Sequence, residues 1–230
     1  MAPAGLRVAL ESDGWFASCA PQLKELLLAE ARVLDLADGE RLFARGEAAR
    51  GLCCVVAGAL RAGAVHADGR ETLLAWMEPY QWFGEISLLD GQPRTHDAVA
   101  DGATRLLVVP QQRLTLWLDA HPACWRDLAR LACEKLRLVF TLVEDIAHLD
   151  LQRRLAKRLW LTVTRAAGRR LLRIPQEQLA LLVGASRQSV NRELRKLARR
   201  GLLELRYGCI EVRDPDGLRA LLNGPDTGAC

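Results

Sequence analysis

The sequence lacks any run of 18 or more apolar residues, although half of its 230 residues are apolar. A helix needs such a run to cross a bilayer, so we expect no membrane-spanning segment and no membrane partner. The first 16 residues include a single Arg, and Glu11 and Asp13 interrupt them. This composition does not match the apolar centre of a signal peptide, and we therefore expect a cytoplasmic protein.

Paired metal-ligand and disulfide patterns are also missing. The seven cysteines are odd in number and scattered, and no two of them are spaced C-x-x-C. The four histidines show no ligand spacing. We predict reduced structural thiols and no metal site. No Walker loop or nucleophile–base pair is present either, so we do not expect an enzyme.

Charge is distributed unevenly along the chain. Residues 151–207 hold 15 Lys and Arg against 3 Glu, a net charge of +12. Residues 208–230 carry −2, and the chain total of +4 leaves −6 for residues 1–150. A basic block behind an acidic one indicates a C-terminal half that binds a polyanion, although a solvated basic face would give the same balance.

The N-terminal half alternates short apolar runs with glycine turns. The runs are 41–44, 52–56, 60–65, 71–76 and 104–109, and the turns are Asp38-Gly39, Arg45-Gly46, Ala57-Gly58 and Asp68-Gly69. Short strands at spacings near ten predict an all-β sandwich, barrel or roll.

A long helix is predicted after Pro122, which suits the first turn of a helix. Apolar residues then recur at steps of four and three, the spacing of a coiled-coil seam. The seam comprises Trp125, Ala129, Ala132, Leu136, Val139, Val143 and Ile146. Leucines off the seam, Leu128, Leu131, Leu138 and Leu142, are expected to cover another element. The pattern favours a parallel dimer over a single buried helix in a monomer.

Beyond residue 150 the pattern predicts three helices and a hairpin. The helices are 151–167, ending at Gly168, then 176–183 and 187–200; a short strand spans 171–174, and the hairpin strands 202–206 and 209–213 flank Tyr207-Gly208. We place a hinge near residues 148–150 and find no long linker between the halves.

The segment 176–200 has the pattern of a helix-turn-helix. Leu179, Val183, Val190, Leu194 and Leu197 give an apolar interior, Gly184 a tight turn, and Ser186 a helix cap. The second helix then presents polar residues to the DNA major groove. We predict DNA contacts by Arg187, Gln188, Ser189, Asn191, Arg192 and Lys196. A basic solvent-facing helix in a bundle is the alternative.

The sequence LVGASRQSVNREL resembles the recognition motif G-x-S-R-E-x-V-x-R of the Crp-Fnr superfamily. The resemblance implies that Arg187 and Arg192 contact guanines and that Gln188, which stands where the motif has Glu, contacts the opposite strand. It also implies a homodimer on an inverted repeat of double-stranded DNA, with RNA polymerase as a further partner.

Residues 82–100 contain a candidate anion site, since an arginine, a hydroxyl and a glycine-exposed backbone can hold a phosphate. An internal Arg94–Glu85 ion pair without a ligand is the alternative. The segment resembles the phosphate-binding cassette of cyclic-nucleotide-binding domains. By that resemblance, Arg94 and Thr95 hold the cyclic phosphate and Glu85 the ribose 2′-hydroxyl. The predicted effector-binding set is Gly84, Glu85, Ile86, Ser87, Arg94 and Thr95.

The chain departs from the family at the adenine-binding positions. Val139 and Phe140 stand where the catabolite activator has a Thr-Ser pair, so adenine-specific recognition is not supported. His96 replaces a usual small residue and narrows the pocket. The effector is cyclic AMP, another nucleotide, or none. Cys19 alone near the N-terminus argues against an iron–sulfur sensor, and His66 and His96 are the formal candidates for a haem ligand.

We therefore predict an α+β protein in three parts: a β-roll sensor domain over residues 1–120, a dimerisation helix over 121–149, and a winged helix-turn-helix over 150–230. The favoured function is a ligand-responsive transcription regulator. The alternatives are a constitutive DNA-binding regulator and a cyclic-nucleotide-binding subunit that does not bind DNA.

Overall fold

The computed structural model describes residues 4–11, 14–65, 71–165, 170–172, 174–206 and 209–222. These residues form two compact units, Met1–Leu138 and Val139–Cys230. The first holds an antiparallel sheet with helices, and the second is mainly helical with a small sheet, which confirms the predicted α+β class. The boundaries 120/121 and 149/150 stay predictions. Among the described residues, no helix has the length and apolarity needed to cross a membrane.

The first unit begins with three helices, α1 (Ala4–Leu10), α2 (Gly14–Ser18) and α3 (Pro21–Glu30). Six strands follow: β1 (Arg32–Leu36), β2 (Arg41–Phe43), β3 (Gly51–Val65), β4 (Glu71–Met77), β5 (Trp82–Phe83) and β6 (Asp97–Pro110). The sheet order is β1-β6-β3-β4, with β2 paired to β6 and β5 to β3. Helices α4 (Glu85–Asp90) and α5 (Gln111–Ala120) and a 3₁₀ turn (Pro122–Cys124) lead to α6 (Trp125–His148).

One predicted break in the sheet is wrong. Residues 52–56 and 60–65 belong to the single strand β3, and Ala57-Gly58 is not a turn between strands. The register against β6 shifts on both sides of Ala57, and Gly58 has φ +78°. A glycine there absorbs the irregularity as a bulge, so the strand continues through the position that the sequence marks as a turn. The predicted turn at Asp68-Gly69 lies outside the described residues.

Strand β3 is buried on both faces at its adjacent cysteines, Cys53 and Cys54. Cys54 joins the cluster that includes Trp82 and the helical residues Phe16 and Leu114. Cys53 joins a second cluster inside the roll, with Phe43, Phe83 and Leu106 among its members. Successive side chains of a strand point to opposite faces, so this pair lies between two cores.

The first half of α6 is fastened to the N-terminal helices. Leu128 and Leu131 are buried in the first core, as predicted for leucines off the seam. The buried Asp127 carboxylate accepts hydrogen bonds from the Ala20 backbone N–H at 3.0 Å and from Arg130 at 2.7 Å. The Trp15 indole donates to the Asp127 carbonyl at 2.6 Å. These bonds explain how helices that the sequence analysis did not predict become part of the roll.

The second unit contains α7 (Leu151–Arg165), α8 (Gln176–Leu182), α9 (Arg187–Arg199) and α10 (Pro215–Leu222). Strands β7 (Leu171–Leu172), β8 (Leu203–Arg206) and β9 (Cys209–Val212) form a sheet of order β7-β9-β8. The predicted helices and hairpin are confirmed within a few residues, whereas α10 was not predicted. The predicted helix end at Gly168 and the turn Tyr207-Gly208 lie outside the described residues.

Candidate effector cradle and DNA-contacting helix

Gly84 links β5 to α4 in a conformation that excludes other residues. Its φ is +100°, and a Cβ atom there would lie 2.7 Å from Arg94 Nη1 and 2.8 Å from the Gly51 carbonyl oxygen. A side chain would therefore be strained and would displace the guanidinium. The backbone at Gly84 thus packs closely against Arg94, and a contact between Gly84 and an effector stays a prediction.

Arg94 lies at the centre of the candidate effector cradle, which we define as Gly84, Glu85, Arg94, Thr95 and Lys135. It is 5% exposed and donates to the carbonyl oxygens of Gly51 at 2.7 Å and Gly84 at 3.3 Å. Its guanidinium lies 4.4 Å from the centre of the Phe43 ring. The buried Nε has no hydrogen-bond partner among the described residues. Burial lowers the pKa of Arg94, and the nearby Glu85 opposes this effect.

Glu85 is paired with a residue that the sequence analysis missed. The carboxylate is 1% exposed, and its Oε2 lies 2.7 Å from Lys135 Nζ. The ligand-free Arg94–Glu85 ion pair considered from the sequence is therefore not the pair that the described residues form. Lys135 follows Leu128 by seven residues and Leu131 by four, so it shares their face of α6. That spacing could have pointed to Lys135.

The other predicted effector residues are placed differently. Thr95 is exposed, and its Oγ1 lies 2.7 Å from His96 Nδ1. Ser87 is buried, and its backbone carbonyl accepts from the Gly91 N–H at 3.2 Å. Ile86 is largely exposed. The described contacts connect Gly84 with Arg94 and leave Ile86 and Ser87 outside that group. The role of all six predicted residues as ligand contacts stays a prediction.

Much of the predicted seam on α6 is exposed within a single chain. Leu136, Val139, Val143 and Ile146 are each at least half exposed, Ala129 is exposed, and Trp125 and Ala132 are partly buried. Phe140 is also exposed. The off-seam residues Leu138 and Leu142 are exposed as well, so they do not cover another element of this chain as expected. An uncovered apolar stripe is the arrangement that a helical dimer requires.

In the part of the chain that the structure describes, no three His, Cys, Asp or Glu side chains lie close enough together to bind a metal ion. Burial raises the pKa of the Cys53 thiol to about 11, so this thiol is protonated at neutral pH.

The candidate DNA-contacting helix is α9, and its start is fixed by a side-chain cap. Ser186 Oγ accepts from the Ser189 backbone N–H at 3.1 Å, as the sequence predicted. Gly184 has φ +65°, which supplies the turn between α8 and α9. The predicted interior residues Leu179, Val183, Val190, Leu194 and Leu197 are all buried. One face of α9 is therefore held in the core of the second unit, and its opposite face is free for a partner.

The predicted DNA contacts of α9 fall into two groups. Arg187, Gln188 and Arg192 are exposed and have no hydrogen bond or ion pair with another described residue. Asn191 donates to Gln176 Oε1 at 2.5 Å, and Lys196 pairs with Glu193 at 2.8 Å. Ser189 is half buried beside the cap. The first group is therefore available to bases, whereas Asn191 and Lys196 also stabilise the unit.

The hairpin after α9 carries a charge network that the sequence analysis did not predict. Arg206 contacts Glu204 at 2.9 Å and Glu211 at 2.8 Å, and Arg213 contacts both carboxylates as well. Hydrogen bonds from Arg213 and Arg206 lower the pKa of Glu204 to about 2. The two arginines of the hairpin are thus neutralised within the protein, unlike Arg187 and Arg192.

Comparison with known proteins agrees with both halves of the chain. The family model of the cyclic nucleotide-binding domain matches residues 33–121, and that of the Crp-like helix-turn-helix domain matches residues 153–221. The CRP-like cAMP-activated global transcriptional regulator of Mycobacterium tuberculosis is 31% identical over 215 residues, which cover 91% of this chain and 96% of that protein. The cyclic AMP receptor protein of Thermus thermophilus is 31% identical over 199 residues, covering 86% and 92%.

A solved structure shows the same fold. FixK2 from Bradyrhizobium japonicum matches with a TM-score of 0.77 at 22% identity, covering 87% of this chain and 99% of FixK2. A cyclic-nucleotide-binding roll followed by a helix-turn-helix domain defines a DNA-binding transcription regulator. The two relatives at 31% identity, which match most of the chain, also show the family: the chain belongs to the Crp/Fnr family of transcription regulators.

Proposed function

We propose that this regulator acts as a homodimer on an inverted-repeat DNA operator and responds to a small effector held by its roll. The observation that carries the proposal is the exposed polar face of α9. Arg187, Gln188 and Arg192 are exposed there, while the opposite face of the helix is buried in the core of the second unit. Arginine presents a two-donor fork to guanine O6 and N7, and glutamine pairs in the same way with adenine. RNA polymerase is the further partner that we propose.

Two arginines of α9 provide the test of DNA binding. Selection from a random duplex pool would define the operator, which we expect to be an inverted repeat. Arg187→Ala should then cost about 1–3 kcal/mol on that operator and relax the preference at one base position of each half-site. Arg195→Ala, the matched control, should weaken binding to all duplexes alike and reduce its salt dependence. An Arg187→Ala variant that behaves like the control would make Arg187 a phosphate contact only.

The proposed effector is a cyclic nucleotide, cyclic AMP or a relative of it, with the phosphate on Arg94 and Thr95 and the ribose near Glu85. A buried guanidinium, an exposed hydroxyl and a buried carboxylate within one short segment support this assignment. Val139 and Phe140 offer no side-chain hydrogen bond to a base. We therefore expect weak discrimination between cyclic AMP and cyclic GMP.

One observation favours a regulator that needs no effector. Arg94 already donates to two backbone carbonyls, and Glu85 is already paired with Lys135, so the cradle is largely satisfied without a ligand. Calorimetric titration of cyclic AMP into the wild type and the Arg94→Ala variant separates the two functions. Saturable binding that the variant loses supports an effector, whereas no heat in either protein, with operator binding intact, supports constitutive regulation.

A further inference from the structure

His96 touches the one hydroxyl that the proposed phosphate site provides. Thr95 Oγ1 and His96 Nδ1 are 2.7 Å apart. The His96 ring also lies against Phe43, with ring centres 6.4 Å apart, and the Arg94 guanidinium lies over the same Phe43 ring at 4.4 Å. Histidine and arginine therefore border one aromatic side chain, at the edge of the candidate effector cradle.

The short Thr95–His96 contact holds a single hydrogen, and whether the Thr95 hydroxyl or Nδ1 donates it depends on the tautomer and the protonation of the imidazole. A neutral ring with a free Nδ1 lone pair accepts that hydrogen from the Thr95 hydroxyl. A phosphate oxygen only accepts, so Thr95 must donate its hydrogen to hold a phosphate. Two lone pairs would then face each other across 2.7 Å unless Nδ1 itself carries a hydrogen, which either the Nδ1–H tautomer or protonation of the ring supplies.

Burial and two nearby cations favour the neutral form of His96 when no effector is bound. Burial lowers the pKa of His96 most, and Lys135 of α6 and Arg94 lower it further. Glu85 of α4 and Asp97 of β6 act in the opposite direction. A bound phosphodiester adds a negative charge beside these cations, and a nearby negative charge raises the pKa of a histidine.

We propose that His96 is a positioning residue for Thr95. The His96 imidazole takes up a proton when a phosphate-bearing effector binds, and this frees the Thr95 hydroxyl to donate its hydrogen to the phosphate. The proposal rests on the proposed function, because it requires that the cradle accepts a nucleotide phosphate. Proton uptake by the complex means that the pKa of His96 is higher with the effector than without it. Affinity is then lowest above the higher pKa and rises as the pH falls.

Calorimetry with cyclic AMP as the probe tests this mechanism. Titrations near pH 6.5 in MES and in imidazole buffer, whose ionisation enthalpies differ, report the protons taken up per nucleotide bound. We expect net uptake, and an affinity that rises about tenfold or more from about pH 8 to about pH 5.5. His96→Gln keeps a polar side chain beside Thr95 but does not titrate in this range, so it should lose both the uptake and the pH dependence.

Matched variants make each outcome decisive. Thr95→Val should reduce the uptake with His96 unchanged, because the hydroxyl partner of the protonated ring is gone while the phosphate charge remains. His121→Gln, the same replacement at an exposed histidine that follows α5, should keep the full uptake. Binding that requires Arg94 but shows no proton uptake overturns the His96 proposal and leaves the effector site standing. No binding of cyclic AMP to the wild type overturns both. Uptake that persists in His96→Gln assigns the proton to another group and overturns the proposal.

Discussion

The Lys135–Glu85 ion pair should stabilise the roll far more than an ion pair on the surface. Lys135→Met keeps most of the side-chain length and removes the ammonium, which leaves the Glu85 carboxylate buried without its cation. Removing one partner of a fully buried pair costs about 3–5 kcal/mol. An exposed pair contributes about 0.2–1 kcal/mol. Because Lys135 is 38% exposed and Glu85 is 1% exposed, we expect a loss of about 2 kcal/mol in the free energy of unfolding.

A double-mutant cycle in urea, followed by tryptophan fluorescence, measures this contribution. Glu85→Gln alone leaves Lys135 without its acceptor, and the double variant removes both charges, so the double variant should be more stable than the two losses added together predict. The Asp35–Arg105 pair is the matched control, since its contact is also 2.7 Å but both side chains are more than half exposed. A coupling energy for Lys135–Glu85 no larger than that of the control would refute the argument.

Three further predictions concern the seam, the recognition helix and the hairpin. The double variant Val139→Glu/Val143→Glu should be a monomer by light scattering, because the added charges would face each other across the seam. The control Leu116→Glu, at an exposed side chain of α5, should leave the dimer intact. Ser186→Ala should lower the stability of the second unit by about 1 kcal/mol in thermal unfolding, since it removes the cap of α9. The lowered pKa of Glu204 predicts stability that is present above its ordinary pKa of 4.5 and is lost as the pH falls towards about 2; unfolding of Glu204→Gln should lack that component.

Each of these predictions has an outcome that contradicts it. A dimer that survives both glutamates would place the interface away from the seam. Thermal unfolding unchanged by Ser186→Ala would mean that another group satisfies the first turn of α9. Equal acid sensitivity of the wild type and Glu204→Gln would mean that the exposed hairpin network adds nothing measurable. An effect untouched by salt would mean that it does not come from these exposed charges.

The helix-turn-helix was predictable because its determinants are local. The Ser186 cap, the Gly184 turn and the buried side chains at helical spacing lie within a few residues of each other, and the structure confirms each. The start of α9 at Arg187 was therefore predicted to the residue. The long helix α6 was predicted for the same reason, although Pro122–Cys124, where the helix was predicted to begin, form a 3₁₀ turn and α6 begins at Trp125.

The features that the sequence analysis missed depend on distant residues or on weak local patterns. Helix α3 begins at a proline and buries Leu23 and Leu27, a spacing of four that a longer helix would have made visible. The bulge at Gly58 looks like a turn because glycine serves both. Glu85 and Lys135 are fifty positions apart in the sequence, so no local pattern predicts that they pair. The one available signal was that Lys135 lies on the same face of α6 as Leu128, which was expected to pack against another element.

Helix α6 connects the candidate effector cradle with the proposed dimer seam. Its early turns are buried in the first core through Leu128 and Leu131, Lys135 reaches Glu85, and the exposed seam begins on the next residues. A ligand that hydrogen-bonds Glu85 must share the carboxylate with Lys135 or displace it. Its binding energy therefore differs between states in which the ion pair is kept and states in which it is broken. Such differential affinity is what a ligand needs to shift a conformational equilibrium, and here it acts on the helix that carries the seam.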